Sequence, residues 1–563
     1  MKVSSFDIFD TCLVRKCGTP ENFFDIFSLC AFNGEVEEWT RQEFVASRKI
    51  AQQSIQTYGT TLYDIWSNFE WQHSQLKPVS ELCQIEQDLE REMLVPVLSM
   101  RDKVNECRKR GDKIIFISDM YLSSDFLIDI MRRNGFYQDG DSLYVSCECE
   151  AEKQTGELFK YVRGIENITY RKWHHYGDNK ICDYSVPRKL GIKASLINHK
   201  YTPYQQEWIN NDFSLGFKYA SVLAGIGRAL HYSTKWNTHT DFVLDIIAPF
   251  YCSLVYRIMS DAEKRGINRL YFCARDAYMM YLIAEKYKPL FPSIESRFLY
   301  ISKKSLYEGD EKAKEDYFRQ EGVITQTNNV AIVDFRSTGH TLAHLNEWIS
   351  TLKCNPVRGY YFEMFYMNSV QYFSQDYYTE ANNLYVKCAV NLGRLLDAWN
   401  IYEQFFPLNT LKRTVGYCVS QNRICSPIFD TEEELETDEM ERVEIKDKAY
   451  WAEVHRNIIL QYTDEYCRIA HYSDKIFENC AIPCLAKFFE TPQREYLIPL
   501  TDFYAHFWNN GKPIVLPYVQ KCSPICLFIN SIFHLKRTSM WRRGTLLYSI
   551  PRWLYQIVDK IIH

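Results

Sequence analysis

Short apolar segments alternate with helical patterns in two separate parts of this chain, and no other sequence feature limits the fold as strongly. In the first part, KIIFIS, SLYVSC and WHHYGD read as strands between helical stretches. In the second, which begins near Asp241, NRLYFCAR, SRFLYIS and NNVAIVDF do the same. Alternation of this kind favours parallel α/β sheets, which bind ligands at the carboxyl ends of their strands. At 563 residues the chain is also too long for one hydrophobic core, so we expect several domains.

The domain prediction follows from where these patterns begin and stop. A long helical stretch after the first strand indicates a cap on the first sheet, and an acidic block indicates a solvated linker. The predicted fold class is α/β, with a capped parallel sheet, a second parallel α/β domain and a mostly helical C-terminal region. The predicted domains are 1–202 with its cap at about 15–110, 203–425, a linker or loop at 426–446, and 447–563.

Composition narrows the choice of compartment and partner. The net charge of −5 gives no general footprint for nucleic acid, which usually requires a strongly basic domain. The N-terminus shows no apolar signal segment, and we find no apolar run long enough to span a bilayer. The 19 cysteines are irregularly spaced, so we expect reduced thiols in a cytoplasmic protein. The 15% aromatic content suits either an aromatic core or a surface that meets sugars or lipid headgroups.

Polar side chains of four complementary kinds lie at the ends of the predicted strands in residues 3–200. Together they supply a nucleophile, a hydroxyl donor to phosphoryl oxygens, a cation that offsets developing negative charge, and oxygen ligands for Mg²⁺. In chain order they are Asp7, Thr11, Ser118, Lys153, Asp178 and Asp183.

The order and spacing of these residues resemble the four motifs of the haloacid dehalogenase (HAD) superfamily. The resemblance implies a phosphatase in which Asp7 forms an aspartyl-phosphate. It also implies that Ser118 and Lys153 stand at the second and third motifs. The Mg²⁺ ligands that it implies are Asp7 and Asp178. Asp183, which shares the fourth motif with Asp178, is a further predicted metal residue.

The first motif departs from the family pattern at one position. Phosphatases of the family usually carry an aspartate two positions after the nucleophile as general acid and base, where this chain has Phe9. The extra carboxylate is Asp10, one position further along. Either Asp10 reaches the leaving oxygen through a shifted turn, or protonation comes from elsewhere, or the domain has lost turnover.

A second phosphate-binding pattern lies in the string AIVDFRSTGHTL. We predict a strand that ends at Asp334, followed by a loop that opens a helix. Small residues let backbone N–H groups close around phosphate oxygens at a helix N-terminus, and hydroxyls add donors. Asp334 is placed to accept hydrogen bonds from sugar hydroxyls. The predicted substrate-binding residues of the loop are Arg336, Ser337, Thr338, Gly339, His340 and Thr341.

This string resembles the phosphoribosyl pyrophosphate (PRPP) loop of phosphoribosyltransferases, although Val333 replaces the first of the family's two acids. Upstream, FCARDAY resembles the family's pyrophosphate loop, which implies roles for Arg275 and Asp276. Asp276 could deprotonate the acceptor or merely cap the next helix. Further candidates for substrate contacts are Lys303 and Lys304, which would add positive charge, and, more weakly, Glu403.

The C-terminal residues combine basic and aromatic side chains, with Lys536, Arg537, Arg542, Arg543, Arg552 and Lys560 against a single acid, Asp559. Such a composition suits a segment in an anionic lipid interface. It equally suits a terminal helix that packs on its own protein and exposes a basic face.

The pairing of the two patterns resembles bifunctional ribofuranosyltransferases of bacterial surface polysaccharides. That resemblance implies transfer of phosphoribosyl from PRPP to a glycan acceptor carried on a lipid, and then removal of the 5-phosphate. The alternatives are nucleotide salvage, with a nucleobase as acceptor, and a non-catalytic protein that senses PRPP. We expect Mg²⁺ as cofactor, peripheral contact with the cytoplasmic membrane, and no nucleic acid partner.

Overall fold

The computed structural model of the chain forms two compact units, Met1–Trp236 and Asn237–His563. It describes residues 2–55, 59–210, 220–234, 240–325, 329–337, 339–364, 401, 406–431, 442–445, 448–470, 472, 488, 492, 494–509, 512–517, 519–523, 542–551 and 554.

A parallel five-stranded sheet forms the centre of the first unit, in the spatial order β5-β4-β1-β6-β7. The chain adds strands to one side of β1 and then to the other, so the order reverses beside β1. The strand β1 is buried along its whole length, as its central place in the sheet requires. The strands of this sheet are β1 (Val3–Phe6), β4 (Lys113–Ser118), β5 (Ser142–Val145), β6 (Trp173–Gly177) and β7 (Lys193–Leu196).

A helical cap interrupts the chain between β1 and β4, as the sequence predicts. It is bounded by an antiparallel ribbon of β2 (Leu13–Arg15) and β3 (Leu94–Pro96). The cap helices are α1 (Pro20–Cys30), α2 (Glu38–Ser54), α3 (Leu62–Ser67) and α4 (Val79–Met93). Their core contains a fully buried ion pair of Arg48 and Glu86, to which the Trp66 indole N–H also donates at 2.8 Å. The buried charges are therefore paired, as a buried site requires.

The remaining helices of the first unit follow the cap. Contacts with β4 place α5 on the sheet rather than in the cap. These helices are α5 (Leu98–Lys109), α6 (Ser124–Arg133), α7 (Ser146–Cys149), α8 (Glu157–Glu166), α9 (Val186–Lys189), α10 (Pro203–Asn210) and α11 (Ala220–Ser233).

The helix α11 packs closely on the loop that follows β2. A Cβ atom added to Gly225 would overlap the backbone of Gly18, so this approach requires glycine at residue 225. The Asn22 side chain bonds to the Ser221 hydroxyl at the same contact. The first unit thus extends beyond residue 202, the predicted end of the first domain, and includes α10 and α11.

The second unit contains another parallel sheet, with four strands in the order β11-β10-β8-β9. Its order also reverses, between β8 and β10. The prediction of a second parallel α/β domain is therefore confirmed. The strands are β8 (Arg269–Cys273), β9 (Glu295–Leu299), β10 (Val330–Ser337) and β11 (Arg358–Met364).

Helices connect and cover these strands. The stretch Val243–Lys264 is long and apolar enough to cross a membrane by length and composition, but 89% of its most apolar window is buried inside the protein. It consists of a π-helical turn at Val243–Ile247 followed by α12 and packs as a core helix. The helices are α12 (Ala248–Lys264), α13 (Tyr278–Lys286), α14 (Lys303–Tyr307), α15 (Glu311–Glu321) and α16 (His340–Thr351).

Smaller sheets lie in the C-terminal part of the chain. The pattern there predicts mostly helix, and it did not reveal an antiparallel sheet of β14, β15 and β16. Within the acidic segment, Asp430 is buried and paired with Arg413 at 2.7 Å, whereas residues 432–441 lie outside the described part. The elements are β12 (Thr414–Val419), β13 (Cys425–Phe429), β14 (Arg442–Ile445), α17 (Lys448–Ala470), α18 (Arg494–Leu497), β15 (Phe503–Asn509), β16 (Lys512–Pro517) and α19 (Arg542–Ser549).

Candidate active site

Three neighbouring strands of the first sheet end in polar residues. Asp7 follows β1, Ser118 ends β4, and Asp178 follows β6. Since β1 lies between β4 and β6, parallel pairing brings the three strand ends to one edge, beside the point where the strand order reverses. Ligands of open α/β sheets bind at such a position.

Lys153 joins two of the predicted carboxylates. Its ammonium donates to Asp7 Oδ1 at 2.6 Å and to Asp183 Oδ1 at 2.7 Å. All three side chains are buried, so these contacts are charge-assisted bonds in a site with little water. The Lys153 backbone N–H also donates to the carboxylate of Asp119, at 3.0 and 3.1 Å. Lys153 is therefore held at both its backbone and its ammonium.

A tight turn after β6 places Asp183 beside the strand end. The Asn179 side chain accepts from the backbone N–H groups of Ile181 and Cys182 and begins a π-helical turn. Asp183 then folds back and accepts from the Asn179 N–H at 3.0 Å. A Cβ atom on Gly177 would overlap the Asp183 carboxylate, so this close approach requires glycine there.

A buried polar chain holds Asp183 from the other side. The Trp173 indole N–H donates to Ser5 Oγ at 2.7 Å, and Ser5 Oγ lies 2.7 Å from His175 Nδ1. With its oxygen accepting from Trp173, the Ser5 hydroxyl donates its own hydrogen to Nδ1. This leaves Nε2 as the protonated nitrogen that donates to Asp183 Oδ1 at 3.1 Å. Burial lowers the pKa of His175, which agrees with a neutral ring.

The carboxylates of this edge carry more negative charge than their surroundings neutralise. Burial, and then the charges of Asp183 and Asp178, raise the pKa of Asp7 to about 8, although Lys153 opposes the rise. Burial and the charges of Asp10 and Asp183 raise the pKa of Asp178 to about 6. For Asp183, Lys153 and His175 outweigh burial and lower the pKa.

Oxygen atoms of Asp7, Asp178 and Asp183 all lie within 4.8 Å of one another and could hold a metal ion. Carboxylate oxygens are ligands that suit Mg²⁺, and a dication would offset the excess negative charge. The donor set therefore fits the predicted cofactor.

Two predicted contributors stand beside this cluster. The Thr11 hydroxyl donates to Asp178 Oδ1 at 3.4 Å, a long bond, while its carbonyl accepts from His199 at 3.0 Å. Ser118 is buried at the end of β4. Asp119 comes directly after Ser118. The four motifs do not predict it as a site residue, although its place after a strand is a usable signal.

In the turn after β1, Phe9 and Asp10 have different roles. The Phe9 ring lies under the Arg15 guanidinium, 4.7 Å from the ring centroid, and so takes part in packing. Asp10 has φ of +53°, a left-handed conformation that aspartate tolerates. Its carboxylate accepts from Arg228 Nη2 at 2.8 Å. Arg228 is 218 residues away in sequence, so no local signal could have identified it.

At the second sheet, the residues predicted for pyrophosphate follow β8. Arg275 is exposed, and the peptide bond before it is cis. Helix α13 is capped by Ala277 without a side-chain bond, so the structure does not support Asp276 as the helix cap. Burial raises the pKa of Asp276, while Arg275 and Lys448 lower it less. Lys448, which begins α17, was not identified from the sequence.

Asp334 lies within β10 rather than at its end. The strand continues to Ser337 because Arg336 and Ser337 pair with Glu363 and Met364 of β11. The Asp334 carboxylate accepts from the backbone N–H of Phe335 at 2.8 Å. Burial and then the charge of Asp276 raise the pKa of Asp334 to about 7.

The remaining loop candidates stand as follows. Gly339 has φ of +77°, which favours glycine, and caps α16, in which Thr341 is the second residue. Lys303 and Lys304 begin α14, after the edge strand β9. Thr338 and Glu403 lie outside the described residues, and the side chains of Arg336, Ser337 and His340 are not described.

Comparison with solved structures finds similarity to HAD enzymes. A HAD family enzyme from Bacteroides thetaiotaomicron, in complex with magnesium and inorganic phosphate, is 15% identical. The match covers 35% of this chain and 94% of that chain, with a TM-score of 0.27. The L-2-haloacid dehalogenase from Xanthobacter autotrophicus is 11% identical over 38% of this chain and 83% of that one, with a TM-score of 0.27. No protein-family model and no curated protein matches the chain.

Proposed function

We propose that the first unit is a Mg²⁺-dependent phosphomonoesterase that uses Asp7 as nucleophile. The observation that carries this proposal is the placement of Lys153, whose ammonium bonds to both Asp7 and Asp183 beside three carboxylates within 4.8 Å of one another. A fixed cation and a fixed acidic cluster at one strand edge suit the transfer of a dianionic phosphoryl group.

In the proposed reaction, a carboxylate oxygen of Asp7 attacks phosphorus and the bond from phosphorus to the ester oxygen breaks. The alcohol oxygen takes up one proton from solvent as it leaves, and the water that hydrolyses the aspartyl-phosphate releases one proton to solvent. Lys153 keeps a positive charge beside the transferring group, because Asp7 and Asp183 outweigh burial and raise the pKa of its ammonium. The cation that Asp7, Asp178 and Asp183 would hold neutralises phosphoryl charge when bound.

Hydrolysis of small phosphomonoesters by the purified chain tests this proposal. We expect phosphate release that requires Mg²⁺ and stops after treatment with a chelator. Asp7→Asn keeps the size of the side chain but weakens the nucleophile, and we expect a loss of about 10⁴-fold or more. Equal rates for Asp7→Asn and the unaltered protein would overturn the proposal.

For the second unit we propose phosphoribosyl transfer from PRPP. The observation that favours it is the strand order, which sets Arg275 and Asp276 after β8 and Asp334 on β10, on either side of the point where the order reverses. The charge of Asp276 also contributes to the raised pKa of Asp334, which supports a shared acidic site. Coupled to the phosphatase, this transfer would leave a ribofuranosyl unit on the acceptor.

A two-variant experiment tests the sequence of steps. The chain is incubated with PRPP, Mg²⁺ and a panel of glycan and nucleobase acceptors, and products are identified by mass spectrometry. We expect Asp7→Ala to accumulate a phosphorylated ribosyl product and Asp334→Ala to form none. Identical products from both variants would contradict the two-step scheme.

The identity of the acceptor separates the remaining hypotheses. A lipid-linked glycan acceptor would support surface polysaccharide synthesis, and the basic aromatic C-terminal residues motivate that choice. A nucleobase acceptor would support salvage instead. Binding of PRPP without transfer to any acceptor would support the sensing hypothesis.

A further inference from the structure

A cavity of about 400 Å³ opens beside Asp178 in the first unit. Its volume lies within the usual range for small-molecule sites. One side is formed by the metal-binding edge and the turn after β1, and the other by residues between 197 and 209, which follow β7, together with Arg228. The polar or charged residues that line it include Asp10, Asp178, Asn198, His199, Gln206 and Arg228.

Arg228 fixes the shape of this cavity. Its guanidinium donates to Asp10 Oδ1 at 2.8 Å, to the His199 carbonyl at 3.0 Å and to the Tyr201 hydroxyl at 3.3 Å. It also stacks on the Tyr201 ring, 4.5 Å from the centroid. The Arg228 side chain is only 7% exposed, so it is held rigidly by several partners.

The polar groups that face the cavity can hydrogen-bond to the hydroxyls of a ligand. The Asp10 side chain remains 40% exposed while it is paired, so it can accept another hydrogen bond. Asn198 and Gln206 are exposed, and each carries an amide that both donates and accepts. Gln206 Nε2 already donates one hydrogen to Asn210 at 2.9 Å, which leaves its second N–H hydrogen and its carbonyl for a ligand. A hydroxyl has the same dual capacity. An apolar alcohol would remove water from these groups without replacing its hydrogen bonds, which is unfavourable.

We propose that this cavity holds the alcohol portion of the phosphoester and selects a carbohydrate alcohol. The position of Asp178 carries the argument, because this residue belongs both to the candidate cation site and to the cavity wall. A phosphoryl group bound at that edge would therefore have its alcohol next to the polar lining. This inference rests on the proposed phosphatase activity, whose substrate class it specifies.

Two esters of similar length test the proposal. Ribose 5-phosphate and n-pentyl phosphate both carry a primary phosphate, but only the first has hydroxyls on its carbon chain. We expect kcat/KM for ribose 5-phosphate to exceed that for pentyl phosphate at least tenfold. Gln206→Ala and Asn198→Ala should each lower the value for ribose 5-phosphate by about fivefold, as expected for one lost neutral hydrogen bond, and leave pentyl phosphate unchanged.

Gln84→Ala serves as the matched control, because Gln84 is an exposed glutamine on a cap helix that does not line the cavity. This variant should leave kcat/KM unchanged for both esters. Thermal unfolding checks that each variant folds.

Equal kcat/KM for both esters, or equal losses for both esters in the variants, would overturn the cavity proposal while leaving the phosphatase intact. If neither ester is hydrolysed, the phosphatase proposal fails. In that case, calorimetry measures the affinity of the Mg²⁺-supplemented protein for each of the two esters. Equal affinities would overturn the cavity proposal.

Discussion

The two parallel sheets share a reversal of strand order, but their carboxyl edges are built differently. At the first edge, the Lys153 ammonium bonds directly to Asp7 at 2.6 Å and to Asp183 at 2.7 Å. At the second, the charge of Asp276 adds to burial in raising the pKa of Asp334, and the Asp334 carboxylate accepts from the adjacent backbone N–H. The first edge thus contains a cation that bonds directly to two of its carboxylates, whereas at the second the charges of Arg275 and Lys448 only partly offset the effect of burial on Asp276.

The largest effect is expected from removing the cation of the first edge. Lys153→Met would leave Asp7 and Asp183 buried without their shared cation, which typically costs about 3–5 kcal/mol of stability. Phosphatase activity should fall by about 10³-fold or more, since the fixed positive charge is lost. Urea unfolding and phosphate release measure the two effects.

The control for that variant is Lys160→Met, which removes an exposed pair with Glu157. Surface pairs of this kind contribute little to stability, because solvent screens them. If the two methionine variants lost the same stability, Lys153 would not have the structural role described here.

The second prediction concerns the close approach of the Asp183 side chain to Gly177. Gly177→Ala should destabilise the first unit by about 1–3 kcal/mol, because the new methyl group overlaps Asp183 and forces it away. Weaker Mg²⁺ binding should accompany the loss, as calorimetry can measure. In contrast, Gly164→Ala on α8 meets nothing within 4 Å and should be neutral or stabilising. The same destabilisation at both glycines would contradict this account.

A third prediction concerns the chain of bonds behind Asp183. His175→Ala removes the donor to Asp183 Oδ1, and supporting residues of this kind commonly change metal affinity by about 10–100-fold. His174→Ala is the matched control, since His174 bonds to Ser195 and Tyr176 instead. Calorimetric titration with Mg²⁺ compares the two, and an unchanged affinity in His175→Ala would remove the supporting role.

The fourth prediction concerns the second edge and depends on pH. The pKa of Asp334 is raised to about 7 by burial, from about 3.9 in an unfolded chain. Below pH 4 both states are protonated, so the group has no effect on stability. Between pH 4 and 7 the unfolded chain ionises first, and the folded state loses stability as pH rises.

Asp334→Asn removes this loss while keeping a polar side chain. We therefore expect its Tm to exceed that of the unaltered protein at pH 8 and to match it near pH 4. An equal difference at both pH values would show that ionisation of Asp334 is not the cause. A higher Tm together with lost phosphoribosyl transfer would indicate a site that gives up stability for function.

The sequence located the strand ends of the first sheet better than those of the second for a physical reason. Asp7 and Asp178 follow short strands and Ser118 ends one, and parallel strands bring their carboxyl ends to one edge whatever the details of packing. The strand containing Asp334 was harder to delimit. Its extension to Ser337 depends on pairing with β11, which no local pattern records.

The sequence by itself determined the alternation of strands and helices, and with it two parallel sheets whose polar residues stand at or near the strand ends. Only the tertiary structure decided how individual side chains were used. It brought Arg228 to Asp10 and the Trp173–Ser5–His175 chain to Asp183, and it assigned Phe9 to packing against Arg15. The physical reason is that strand patterns arise from neighbouring residues, whereas side-chain contacts depend on packing, which joins Arg228 to Asp10 and Trp173 to Ser5 across 218 and 168 residues.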